Sequence, residues 1–112
     1  MEKTIFARII DREIPAKIVF EDDLCLAFED IHPAAPTHLL VVPKKPIDRL
    51  SSAVEADEQL IGHLLTTAGK IATTRGIDDF RLVMNNGAGA GQSVFHLHVH
   101  LLAGRALSWP PG

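Results

Sequence analysis

Residues 96–102, His-Leu-His-Val-His-Leu-Leu, constrain this chain more than any other stretch. His96, His98 and His100 alternate with Leu97, Val99 and Leu101, and a period of two is the mark of a strand with one buried face. On such a strand the three imidazoles share a face, with neighbours roughly 6.5 Å apart at about 3.3 Å of rise per residue. The aliphatic residues point to the opposite face, where a core takes them. Three imidazoles in one row are costly to bury. Near neutral pH imidazole acts as base, nucleophile or metal ligand, so the row is read as a chemical centre. Zinc coordination by the alternating histidines is the rival to direct catalysis.

The 112 residues suit one domain over 1–112 with one core of real size. A net charge of −3 and the lack of a basic run argue against general affinity for nucleic acid. The one cysteine, Cys25, cannot form an intrachain disulfide, which suits a reducing, cytoplasmic setting. The amino-terminal stretch has no signal-peptide core. The longest aliphatic run, Leu39-Leu40-Val41-Val42, is far too short for a bilayer, so no membrane partner is expected.

Ile5, Phe6, Ile9 and Ile10 recur at helical spacing and predict a short helix that ends before Ile14-Pro15. Ile18–Glu21 and Cys25–Glu29 read as a hairpin turned by Asp22-Asp23. The Pro-containing connection from Asp30 to Pro36 leads to a central strand, Thr37–Val42, closed by Pro43. Ile47–Leu50 fits one turn. Ser52-Ala53-Val54-Glu55 has the spacing of a capping box, and the helix beyond it presents Leu60, Ile61, Leu64, Leu65, Ala68, Ile71 and Ala72 on one face up to a Gly76 cap. Gly62 and Gly69 lie seven apart in that helix: either another backbone approaches closely there, or small residues are merely tolerated. His63, in the same helix, reads as a solvated side chain. Phe80–Met84 and Val94–Leu102 complete the strands, with the glycine-rich loop Asn85–Ser93 between them. The pattern is an α+β fold with helices on an antiparallel sheet.

A neutral imidazole is a good nucleophile at phosphorus, and the middle histidine of a row has a neighbour on each side to orient it. His98 is therefore the first choice of nucleophile. The loop before the row could let backbone amides approach a phosphate, but by itself it reads rather as a floppy hairpin; next to three histidines it becomes a plausible phosphate cradle. It is not a Walker loop, since Gly-Lys-Ser/Thr is missing and a strand follows. Asp30 reads as a turn carboxylate or as a bidentate acceptor for the adjacent hydroxyls of a ribose. His38, alone, reads as structural.

His96-Leu97-His98-Val99-His100-Leu101-Leu102 resembles the His-φ-His-φ-His-φ-φ signature of the histidine triad family of nucleotide hydrolases and transferases. The likeness runs from about Ile5 to Gly112. Trp109-Pro110-Pro111-Gly112 is similar to the ending of its branch of histidine triad nucleotide-binding proteins. The resemblance implies a five-stranded antiparallel sheet with one short and one long helix, joined edge to edge with a second copy in a homodimer. It implies attack by His98 on an α-phosphorus, a nucleotidyl-histidine intermediate and its hydrolysis. His100 would then contact the phosphoryl oxygens, His96 would orient the row, and His38 would support it. The family pattern places Asn85, Gly91 and Ser93 at the phosphate, with Ser93 handing a proton toward a leaving amine. It places Asp30 at the ribose, and Ile5, Phe6, Ile9, Phe28 and Ile31 around the base. His32 stands where relatives often carry serine, and Glu29 where the family varies; both bear on selectivity near the ribose.

The leading expectation is hydrolysis of the phosphorus–nitrogen bond of purine nucleoside 5′-phosphoramidates, and by the same chemistry of aminoacyl-adenylates. The ligand is then a purine nucleotide of AMP or GMP type, with no metal or other cofactor. The alternatives are a dinucleoside polyphosphate hydrolase or nucleotidyl transferase, and a zinc-binding or nucleotide-sensing interaction protein.

Overall fold

The computed structural model describes residues 2–112. Helix α1 (Ile5–Ile10) precedes the strands β1 (Ile18–Glu21), β2 (Cys25–Glu29) and β3 (Thr37–Pro43). Helix α2 (Glu58–Thr74) follows, then β4 (Phe80–Val83) and β5 (Val99–Ala103). The strands form one sheet in the order β1-β2-β3-β5-β4, with every pair antiparallel. The fold is α+β. The last strand is inserted between β3 and β4, so it is central, covered on both flanks.

Alternation along the strands separates two faces. Cys25, Ala27, Leu39, Val41, Leu97, Val99 and Leu101 pack with Leu64, Ala68, Ile71 and Ala72 of α2. Leu26, Phe28, Leu40 and Val42 pack on the other side with Phe6 and Ile9 of α1. Helix α1 is only six residues long, too short to persist alone. Its start is fixed by Thr4, whose hydroxyl accepts from the Ala7 amide at 3.1 Å, and its apolar side is held by the sheet. Cys25 is free and fully buried, and burial pushes its thiol up to about 11.

Three expectations are corrected. The capping box at Ser52–Glu55 does not form: two 3-10 turns, Leu50–Ser52 and Glu55–Asp57, precede α2. Ala53 between them is extended, with ψ 147°, and packs against the α2-side core, so the helix cannot run through it. Asp57 instead accepts from the Val54 amide at 3.0 Å and pairs with Lys45 at 2.5 Å. The triad strand is shorter than expected, because its ladder with β3 ends at Val41 opposite Val99. Further on, Pro43 has no amide to offer, and the Leu97 amide donates to the Ile47 carbonyl at 2.7 Å instead. His96 and His98 thus precede the strand. His63 is not simply solvated, since its Nε2 lies 2.6 Å from a carboxylate oxygen of Asp22.

Gly76 adopts φ +71° just past the end of α2, as a carboxyl-terminal cap requires. Gly62 and Gly69 have open space around them, so no backbone of the same chain explains them. Among the described residues no helix is long and apolar enough to cross a membrane. Leu64 is completely buried between α2 and the sheet. Leu64→Ala is expected to destabilise the fold by about 3 kcal/mol, measured by urea unfolding, with no change in which residues flank the histidines.

Candidate active site

The histidines form a chain of hydrogen bonds that assigns each ring its tautomer. His98 Nδ1 lies 2.7 Å from the carbonyl oxygen of His96. A carbonyl only accepts, so Nδ1 carries the proton and the Nε2 lone pair of neutral His98 is free. His96 Nε2 donates in the same way to the Pro43 carbonyl at 2.8 Å, which fixes this ring as a prop. On the far side, the Ala34 amide donates to His38 Nδ1 at 2.9 Å, so the His38 proton sits on Nε2. His38 Nε2 then donates to His100 Nδ1 at 2.9 Å. Neutral His100 is left with Nε2–H as an available donor. One ring offers a lone pair and its neighbour an N–H, with their centroids 5.0 Å apart.

Burial keeps these rings neutral. His96 and His98 are 2% and 5% exposed, and desolvation lowers the proton affinity of both, only partly offset by the carbonyls they face. For His100, desolvation and then the neighbouring His98 and His38 bring the value to about 4. Phe6 seals the row edge-on, 5.0 Å from His98, 6.4 Å from His96 and 5.4 Å from Phe28. Helix α1 therefore supplies part of the apolar surrounding that depresses these values.

Asp30 stands at the end of the row. One of its oxygens accepts from the His32 amide at 2.8 Å, and the other lies 3.4 Å from His38 Nε2. Asp30, His38 and His100 hold their ligand atoms within 4.8 Å of one another. His96 and His98, in contrast, each turn a nitrogen toward a separate backbone carbonyl. The histidines of the triad are thus arranged as props and donors around His98, which weakens the reading in which all three hold zinc.

The glycine-rich loop is pinned. Gln92, 3% exposed, accepts from the Gly87 amide at 2.8 Å. Its amide group donates to the carbonyls of Asp48 and Val94 at 2.7 and 3.0 Å. Gly91 has φ +99°, and a Cβ there would sit 3.5 Å from the side-chain nitrogen of Asn85, so the position favours glycine. Ser93 is exposed at the entry to the row. Composition pointed to a floppy connection; the buried glutamine amide makes it a fixed turn. Gln92 was missed because nothing local distinguishes it from the other polar residues of the loop: its partners lie 44 residues away at Asp48 and close by at Gly87 and Val94.

The structure thus gathers His38, His96, His98, His100 and Asp30, with Phe6, Ile9 and Phe28 packed against this face. Ile5 and Ile31 are 48% and 80% exposed at its margin. A cavity of about 490 Å³ opens beside His96, between Thr4, Ala7, Ile10, Pro46 and Phe95. A larger one, about 730 Å³, lies between Ile77–Arg81 and Gly104–Leu107 and has no histidine in its wall.

The lowered values set a pH dependence. The unfolded chain takes up a proton on each histidine near the ordinary 6.5, whereas folded His100 does so only near 4. The unfolded state binds more protons in that window, so stability is full above about pH 6.5 and falls as pH drops toward 4. His100 is expected to account for up to about 3 kcal/mol of the fall. Denaturant melts of wild type and His100→Gln across this range check it: the variant should lose less.

Comparison with known proteins agrees with this architecture. The HIT domain family profile matches residues 11–107. A HIT-like protein of Synechocystis sp. is 62% identical over 112 residues, covering 99% of this chain and 98% of that protein. The crystal structure of a HIT family hydrolase from Legionella pneumophila superposes with a TM-score of 0.95 at 46% identity, covering 98% of this chain and all of that one. A histidine triad protein from Clostridium difficile gives 0.91 at 44% identity, over 96% and 97% of the two chains. The chain belongs to the HIT domain family of histidine triad proteins.

Proposed function

We propose that this chain hydrolyses the phosphorus–nitrogen bond of purine nucleoside 5′-phosphoramidates, and of aminoacyl-adenylates the acyl-phosphate bond, through a nucleotide held on His98. The observation that carries this reading is the bond from His98 Nδ1 to the His96 carbonyl, which leaves Nε2 as a lone pair in a dry setting. Nε2 attacks the α-phosphorus as the P–N bond breaks. The departing amine takes a proton from Ser93, directly or through water. Water then attacks phosphorus and passes a proton back to Ser93, the P–Nε2 bond breaks, and the lone pair returns to His98. The His100 N–H, held outward by His38, donates to a phosphoryl oxygen as charge builds there. Asn85, Gly91 and Ser93 line the phosphate, and Asp30 takes the ribose hydroxyls through its oxygens. Phe6, Ile9 and Phe28, with Ile5 and Ile31 at the rim, take the purine. The chemistry needs no metal, because a neutral nucleophile and N–H donors supply both halves. The Legionella relative, a HIT family hydrolase, supports the reaction class.

The same reading includes a cytoplasmic homodimer of the nucleotide-binding branch. Its support is the edge strand β4 with Phe80 37% exposed, and the open space at Gly62 and Gly69 on α2. Light scattering is expected to give twice the 12.2 kDa chain mass; a monomer at micromolar concentration overturns this part.

The deciding experiment follows amine release from an adenosine 5′-phosphoramidate under chelator, with wild type and His98→Ala side by side. Wild type should turn over, His98→Ala should lose at least about 1000-fold, and mass spectrometry should trap a nucleotidyl adduct on wild type alone. Because burial lowers His98, activity should persist below pH 6.5. Turnover of a diadenosine polyphosphate in preference to the phosphoramidate would favour the polyphosphate hydrolase instead. Activity lost on chelation and restored by zinc would overturn the mechanism.

A further inference from the structure

A second set of metal-binding side chains lies on the other face of the sheet, away from the histidine row. Asp22 in the β1–β2 turn, Cys25 at the start of β2 and His63 in α2 place a carboxylate oxygen, a sulfur and a ring nitrogen within 4.8 Å of one another. Asp22 is set in place by its own turn: one oxygen accepts from the amides of Leu24 and Cys25, both at 2.8 Å. The other oxygen is therefore directed to His63 Nε2, 2.6 Å away. Cys25 is fully buried beneath this pair, and its sulfur also faces the Thr67 hydroxyl at a loose 3.9 Å. His63 and Thr67 are four apart, on one face of α2. The Asp22 and His63 side chains are about a third exposed, at 31% and 30%, which leaves an entry path above a closed floor.

We infer that Asp22, Cys25 and His63 bind a divalent ion of the zinc class, with the Thr67 hydroxyl or a water as the fourth ligand. Thiolate, imidazole and carboxylate are the three protein donors zinc uses, and a mixed set with one soft sulfur selects zinc or cobalt over calcium or magnesium. Little movement is required. Bonds of about 2.0–2.1 Å to N and O put those donors roughly 3.3 Å apart in a tetrahedron. The carboxylate and imidazole must therefore open by under about 1 Å from their hydrogen-bonded separation. Binding exchanges the Cys25 S–H bond for a sulfur–metal bond, that proton leaving to solvent; the proton on His63 Nε2, which faces Asp22, shifts to Nδ1 so that the Nε2 lone pair takes the ion. The ion would tie the α2 helix to the β1–β2 turn without touching the catalytic row. This inference is independent of the proposed function.

Cobalt(II) titration tests it. Cys25 is the only cysteine of the chain, so a thiolate-to-cobalt charge-transfer band reports this site alone. Wild type should develop the band to saturation at one ion per chain, release a proton on binding, and melt at higher temperature with zinc. His98→Ala should keep the band, which separates this site from the histidine row. His63→Gln, on a position about a third exposed that spares the core, should lose it, as should Asp22→Asn. Folded wild type that shows no band, or His63→Gln with an unchanged band, overturns the assignment.

Discussion

The hydrogen bond between His38 and His100 joins residues that are 62 apart in the chain, and the candidate site depends on it. It exists because β5 lies beside β3, with Leu40 opposite His100 and Leu102 opposite His38. That pairing brings two rings from different strands to the same face at 2.9 Å. Without it His100 could take either tautomer. With it, His100 accepts at Nδ1 and must donate at Nε2. The direction of the chain is set further back by the Ala34 amide in the Pro-rich connection, which donates to the other nitrogen of His38. A loop that looks like mere linkage thus fixes a proton two rings away.

The sheet separates two kinds of work. Its α2 face is a conventional aliphatic core, where burial of leucine and valine supplies most of the stabilisation. Its α1 face carries imidazoles that must be dry enough to stay neutral, yet hydrogen-bonded so that their burial is tolerable. Carbonyls of Pro43 and His96 meet that need without adding charge. No buried side-chain nitrogen or oxygen among the described residues is left without a partner. The aromatic ring of Phe6 is the point where the two demands meet, since it packs on Phe28 and closes over His98 at once.

Much of the fold was legible residue by residue. The period of two in Leu97, Val99 and Leu101 placed these side chains in the core, although only the last part of the run is regular strand. Helical spacing in α2 identified Leu64, Ala68, Ile71 and Ala72, which are buried, but also Leu65, which is 44% exposed and lies off the packed stripe. Capping was less legible. Ser52-x-x-Glu55 had the right letters, but Ala53 is drawn into the core and the true helix start moves to Glu58. A local motif yields when a neighbour's burial is worth more than a hydrogen bond. The glycine-rich loop failed the other way: its letters suggested freedom, and one buried glutamine removed it.

The sequence by itself determined the alternating pattern of the histidine row, the amphipathic helices and the antiparallel α+β character, because each follows from side-chain periodicity over a few residues. It also singled out the middle histidine. Only the tertiary structure decided that β5 lies between β3 and β4, that His63 faces Asp22, and which nitrogen of His96 and of His100 holds its proton. Those outcomes depend on partners 41 to 62 residues away, whose approach is set by the packing of the whole sheet and not by neighbours along the chain.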